Sequence, residues 1–143
     1  MDKYSLIKRY ESFRPVAYLC PAGKLTIGYG TTVYPDGKPV KKGDMITEKK
    51  AEEYLEDYIE KNIKPIYKRI PYVLTDNQER ALESLIYNIG AGAFLRSKLF
   101  VAIKEKNYEQ IFKNWDWIKA AGVVMKGLVK RRTEELYLFM KGI

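Results

Sequence analysis

The sequence predicts an α+β fold, and three features carry that prediction. Residues 16–40 alternate and break in the manner of a small antiparallel sheet. One apolar stripe from Ala51 to Tyr67 marks a long helix. The rest of the chain, to Met140, keeps helical spacing with capping signals between segments. The expected layout is a small N-terminal sheet lobe, a long connecting helix and a mainly helical C-terminal lobe.

Leu6, Ile7, Tyr10 and Phe13 recur at helical spacing and predict a helix over residues 2–13. Pro15 is expected to stop it, because the residue before a proline avoids the α region. Pro21-Ala22-Gly23 and Tyr34-Pro35-Asp36-Gly37 read as turns. Between them, Leu25, Ile27 and Tyr29 alternate onto one face, and Thr26, Gly28 and Gly30 fall on the other. That second face is nearly bare backbone, and glycine in a strand marks close approach by a ligand or another chain.

Thr47 is placed to cap a helix running to about residue 69, which Pro65 should bend or end. Thr75-Asp76-Asn77-Gln78 fits a capping box for the next helix, with Gly90 and Gly92 expected to end it. Ser97 caps a further helix, and residues 107–118 form another that bears Ile111, Phe112 and Trp115. Gly122 and Gly127 bracket a loop, and Leu128 to Met140 closes the chain as a basic helix.

With 143 residues the chain is expected to form one domain, 1–143. No stretch approaches the ~20 apolar residues that span a bilayer. The first residues lack the apolar core of a secretory signal, so the expected starting compartment is the cytoplasm. One cysteine excludes an internal disulfide, and the absence of histidine excludes Ser-His-Asp sites and His-ligated metals. No metal or other cofactor is expected.

The net charge of +8 is uneven. Residues 3–43 hold eight Lys/Arg against two acids, whereas residues 47–87 hold seven against nine. Such an excess suits an anionic partner, whether nucleic acid, membrane surface or wall polymer, and it also aids solubility.

With no histidine, acid–base chemistry falls to carboxylates, tyrosines, lysines or the thiol. Glu11 is the only carboxylate between Asp2 and Asp36. At a helix end beside an apolar stripe, partial desolvation and the negative end of the helix dipole both favour its protonated form, which suits a proton donor. The plainer reading pairs it with Arg14 or Lys8 on the surface. Thr26 could hold a water with its hydroxyl, or sit on a solvated strand face. Cys20 could act as a weak base or nucleophile, or be a small buried hydrophobe. Lys130-Arg131-Arg132 could touch phosphates or form a solvated helix face. Gly28-Tyr29-Gly30 is too short for a dinucleotide fingerprint.

Taken together, the segments resemble the phage-type lysozymes, glycoside hydrolase family 24. The likeness runs through Glu11 to Phe13, Ala17-Tyr18, Cys20-Pro21-Ala22-Gly23 and Thr26-Ile27-Gly28-Tyr29-Gly30. It continues in Gly43-Asp44, Ile46-Thr47 and Ala51, in Asn88-Ile89-Gly90-Ala91-Gly92-Ala93-Phe94, and in Gly127-Leu128-Val129 with Arg131-Arg132 and Glu135. Several ordered blocks are far more specific than any one motif.

The resemblance implies a lysozyme-like fold, with lobes of about 12–60 and 1–11 plus 61–143 and a glycan groove between them. It implies a muramidase that cleaves the β-1,4 bond between N-acetylmuramic acid and N-acetylglucosamine in bacterial peptidoglycan during host lysis. The family's Glu, Asp and Thr fall on Glu11, Cys20 and Thr26. Glu11 would be the general acid and Thr26 would help place the water. Arg132, with Arg131 as the alternative, would support Glu11. Two positions depart from the family pattern: Cys20 replaces the usual aspartate, and Thr31 replaces a frequent histidine. The likeness also implies a monomer that needs no nucleic acid and no stable membrane insertion, and that depends on a holin-like membrane permeabiliser to reach the wall. The rival from another class is a catalytically impaired peptidoglycan-binding protein.

Overall fold

Helix α1, Ser5–Glu11, begins the regular structure in a computed structural model that describes residues 2–141. It is shorter than expected and does not end at Pro15. The chain leaves the helix at Ser12, whose φ of 60° turns it out while its N–H still bonds the Lys8 carbonyl at 2.9 Å. Strand β1, Arg14–Leu19, follows at once and contains Pro15. A proline fits there because the Pro15 carbonyl is the paired group, accepting from the N–H of Ile46 at 2.9 Å.

Strand β2, Leu25–Gly28, runs antiparallel to β1, with Tyr18 opposite Thr26 and Leu19 opposite Leu25. The sheet stops at two strands. Beyond it, residues expected to continue the sheet make only isolated bridges, Val16 with Met45, Ile27 with Thr31 and Val33 with Pro39. Proline and glycine punctuate 35–43 and interrupt a ladder there.

Helix α2, Glu48–Tyr58, is capped by Thr47, whose hydroxyl accepts from the Lys50 N–H. It supplies the reason for Gly28. A Cβ on Gly28 would lie 2.9 Å from the Ala51 Cβ, and Gly28 has φ of 65°. The bare strand face expected to receive a ligand is therefore filled at this point by α2, and both Thr26 and Gly28 are buried. A π-helical turn, Ile59–Ile63, succeeds α2 and leads into α3, Lys64–Tyr67. Pro65 explains the wide turn, because its ring would clash with the carbonyl four residues back in a regular α-helix.

The chain divides into two compact units, 1–62 and 63–143. The second unit is helical. Helix α4, Asp76–Ile89, opens on the expected capping box, in which Thr75 and Gln78 satisfy one another's backbone N–H groups. It ends at Gly90, with φ of 91°. Gly92 does not end it but lies inside a further short helix, α5, Ala91–Leu95. Helix α6, Lys98–Lys104, is capped by Ser97 as expected.

Helix α7, Tyr108–Asn114, stops before Trp115, four residues short of expectation, and Phe112 faces solvent. The expected loop after it instead contains a two-residue hairpin, β3, Lys119–Ala120, with β4, Val123–Val124, turned by Ala121 and Gly122 at positive φ. Helix α8, Lys126–Lys141, takes in Gly127. Leu82, Leu85 and Ile86 of α4 and Phe139 of α8 are fully buried, as are Phe94 and Leu99. Tyr67 fastens α3 to α4 by donating to a Glu83 carboxylate oxygen at 2.7 Å.

Candidate active site

The turn between β1 and β2 brings two of the expected residues together. Cys20 donates its N–H to the Lys24 carbonyl at 2.9 Å, and its own carbonyl accepts from the Gly23 N–H at 2.8 Å. Gly23 completes that turn at φ of 81°, a conformation that glycine adopts without a Cβ clash. The turn aims donors at the Cys20 sulfur. Bonds from the Lys24 backbone and the Thr26 hydroxyl hold the thiol below its ordinary pKa, helped by the Ala22 backbone and opposed by desolvation. Cys20 is half-buried, so it is not the small core hydrophobe of the plainer reading.

Thr26 is 4 % exposed, which also removes the solvated-face reading. Its hydroxyl donates to the Lys24 carbonyl at 3.1 Å. A hydroxyl has one proton, so it serves either that carbonyl or the Cys20 sulfur at a given moment. Ionisation of Cys20 favours the second arrangement, because an anionic sulfur is the stronger acceptor.

Glu11 closes α1, half-buried, at the dipole's negative end. Of the two cations considered as its surface partners, Lys8 pairs with Glu52 at 2.8 Å and also with Asp2, while Arg14 lies over the Tyr18 ring at 4.2 Å. Tyr29, whose ring lies 5.7 Å from that of Phe13, is 4 % exposed and donates to Glu48 Oε1 at 2.9 Å. Burial and the Glu48 carboxylate push its phenol up to about 12, so it stays protonated in the working range. Thr31 closes the turn after β2 by exchanging two 2.9 Å backbone bonds with Ile27.

Arg132 and Arg131 belong to the second unit, and neither forms the solvated or phosphate-touching face considered from sequence. They are 3 % and 5 % exposed. Arg132 Nε lies 2.8 Å from Glu135 Oε1 and its terminal nitrogen 3.1 Å from Oε2. Arg131 bonds Glu135 at 3.3 Å and the Ser84 carbonyl at 3.0 Å. Ser84 and Trp115 also donate to the Glu135 carboxylate. Burial pushes the Glu135 carboxyl above the ordinary range, and Arg132, Ser84, Arg131 and Trp115 pull it back.

Sequence reading missed Lys8, Tyr29, Glu48 and Glu52 as a connected group, and nothing local signals a link between residues 44 apart. The Arg131, Arg132 and Glu135 spacing of three and four was legible as one helix face; its burial was not. Among the described residues, no group of three or more His, Cys, Asp or Glu could hold a metal ion.

Residues 8–135 match the family model described as phage lysozyme. An endolysin of Acyrthosiphon pisum secondary endosymbiont phage 1 is 38% identical over 139 residues, covering 94% of this chain and 92% of that protein. An endolysin of Bacillus phage B103 is 36% identical over 96% of this chain, which spans about half, 52%, of the B103 protein. Among solved structures, an endolysin from Escherichia coli O157:H7 phage FAHEc1 superposes with a TM-score of 0.85 at 34% identity, covering 99% of this chain and 92% of that one.

Proposed function

The chain belongs to the phage lysozyme family, and we propose that Glu11, Cys20 and Thr26 carry its reaction. The activity is that of an endolysin, a muramidase that hydrolyses bacterial peptidoglycan. In our reading Glu11 donates its carboxyl proton to the glycosidic oxygen as the bond to the anomeric carbon breaks. A water attacks that carbon from the other side, and the Cys20 thiolate takes its proton. The Thr26 hydroxyl orients the water. One observation supports the unusual base most: backbone and hydroxyl donors from Lys24 and Thr26 converge on the Cys20 sulfur and favour its anion.

That role has a pH signature. A base must be deprotonated, so the rate rises with pH through the Cys20 value, which lies below that of an ordinary thiol, about 8.5. Thr26→Val removes a donor to the anion and should move the rise to higher pH. Cys20→Asp should move it toward the carboxylate range, around 4. Cys20→Ser should lower the rate at neutral pH by roughly a hundredfold. Rates measured on purified walls across pH check this. A rise that stays in place in Cys20→Asp, or a full rate in Cys20→Ser, rules the thiol out as base.

The proposal extends to delivery. The chain, a monomer, accumulates in the host cytoplasm, and a holin-like permeabiliser exposes the wall to it. The net charge of +8 then favours the anionic envelope. No helix among the described residues is long and apolar enough to cross a membrane. Cells expressing the chain should lyse only after a pore-forming agent is added; prompt lysis without one contradicts this route.

A further inference from the structure

The last turn of α1 rests on a clamp that the reaction above does not use. Lys8 lies one turn before Glu11, so the two residues are neighbours along the helix. Its ammonium reaches Glu52 on α2 at 2.8 Å and Asp2, with its side chain only 16% exposed. The same ammonium stands 5.6 Å from the centre of the Tyr29 ring. Phe13, two residues beyond Glu11, packs its ring 5.7 Å from that Tyr29 ring. Tyr29 is buried and fixed by its 2.9 Å bond to Glu48 at the start of α2. The carbonyl of Lys8 also accepts the Ser12 N–H that closes the helix just after Glu11. Side chains on both sides of Glu11 are thus seated on one buried ring, and that ring and Lys8 are both tied to α2.

We propose that Lys8 and Tyr29 are positioning residues that fix the end of α1 so that Glu11 meets the glycosidic oxygen. This rests on the reading of Glu11 as the general acid. A proton donor is sensitive to placement, and a displacement of about 1 Å can cost on the order of a hundredfold in rate. The Glu52 carboxylate is 47% exposed, and an ion pair with a solvated partner contributes little to stability by itself. The clamp therefore affects the chemical step more than folding or substrate binding.

The test is steady-state kinetics on soluble peptidoglycan oligomers, with thermal unfolding recorded for each variant. Lys8→Met keeps the length of the side chain and removes its charge. It should lower kcat about tenfold, leave KM unchanged and barely move the melting temperature. Lys8→Arg should restore kcat to within about twofold. Glu52→Gln cuts the same pair from α2 and should lower kcat in the same direction. Tyr29→Leu should lower kcat more than Tyr29→Phe, which keeps the ring. Wild-type kcat in both Lys8→Met and Glu52→Gln, or a KM increase that accounts for the loss, overturns the proposal. So does an equal loss in Lys8→Arg. Glu11→Gln assayed alongside separates the two ideas. If it keeps the wild-type rate, the acid assignment fails; if it is inactive while Lys8→Met is normal, only the clamp fails.

Discussion

Glu11→Gln should abolish wall clearing, with the rate falling about a thousandfold, while the variant still sediments with purified walls. General acid catalysis contributes roughly 10²–10⁴-fold, and glutamine cannot supply the proton that the leaving oxygen needs. The substitution is nearly isosteric at a half-buried helix end, so folding should be unaffected. The contrast between lost clearing and retained sedimentation matters. It assigns Glu11 to the bond-breaking step and not to wall affinity. Turbidity of a cell suspension and a wall pelleting assay read the two quantities separately. Equal clearing by wild type and Glu11→Gln sinks the acid assignment.

The second large effect concerns stability and lies in the other unit. Glu135→Ala should destabilise the protein by about 3–5 kcal/mol, the usual cost of removing one partner from a buried ion pair. Glu135 is fully buried, and both its arginines are nearly so. Its loss leaves the Arg131 and Arg132 guanidiniums in a site without their shared carboxylate, and Trp115 Nε1 without its acceptor. At the size of this chain, that corresponds to a fall of roughly 10 °C in melting temperature. Glu135→Gln should recover part of it, because its single amide oxygen can still accept from either Ser84 or Trp115, which donate to different oxygens of the carboxylate. Calorimetry of the two variants checks this. A melting temperature within about 2 °C of wild type in Glu135→Ala would show that the cluster contributes little.

The cluster also illustrates what the sequence could and could not show. Local signals were readable. The caps at Thr47, Thr75 and Ser97 form where the side chains predict them, because a cap involves only residues within one turn. The disturbance before Pro65 is equally local. Features that depend on distant partners were misread. Arg131 and Arg132 scan as a basic surface until Ser84, 47 residues away, and Glu135 are seen around them. Gly28 suggests room for a ligand until Ala51 is placed against it. The expected end of α1 at residue 13 rests on Pro15 as a local stop signal, whereas the turn occurs at Ser12, which carries no such signature.

The site divides along the same line. Cys20 and Thr26 were close in sequence on two strands of a predicted hairpin, and the register that pairs Tyr18 with Thr26 brings the thiol and hydroxyl together. Family likeness singles them out, and in the proposed mechanism the donors that converge on the sulfur are what would let a cysteine serve there. A turn that supplies backbone donors to an anion serves a thiolate as well as a carboxylate. The bracing of Glu11 by Lys8, Tyr29 and Glu52 left no trace in the sequence, because it joins residues from three separate segments.

The most direct test is chemical identification of the ends that the protein creates. Purified peptidoglycan is digested with wild type and with Glu11→Gln, the products are reduced with borohydride, and the reduced amino sugars are identified by mass spectrometry. A muramidase in which Glu11 is the acid releases new muramic acid reducing ends with wild type and almost none with Glu11→Gln. Reduced glucosamine ends in place of muramic acid ends, or an undiminished yield from Glu11→Gln, would contradict it.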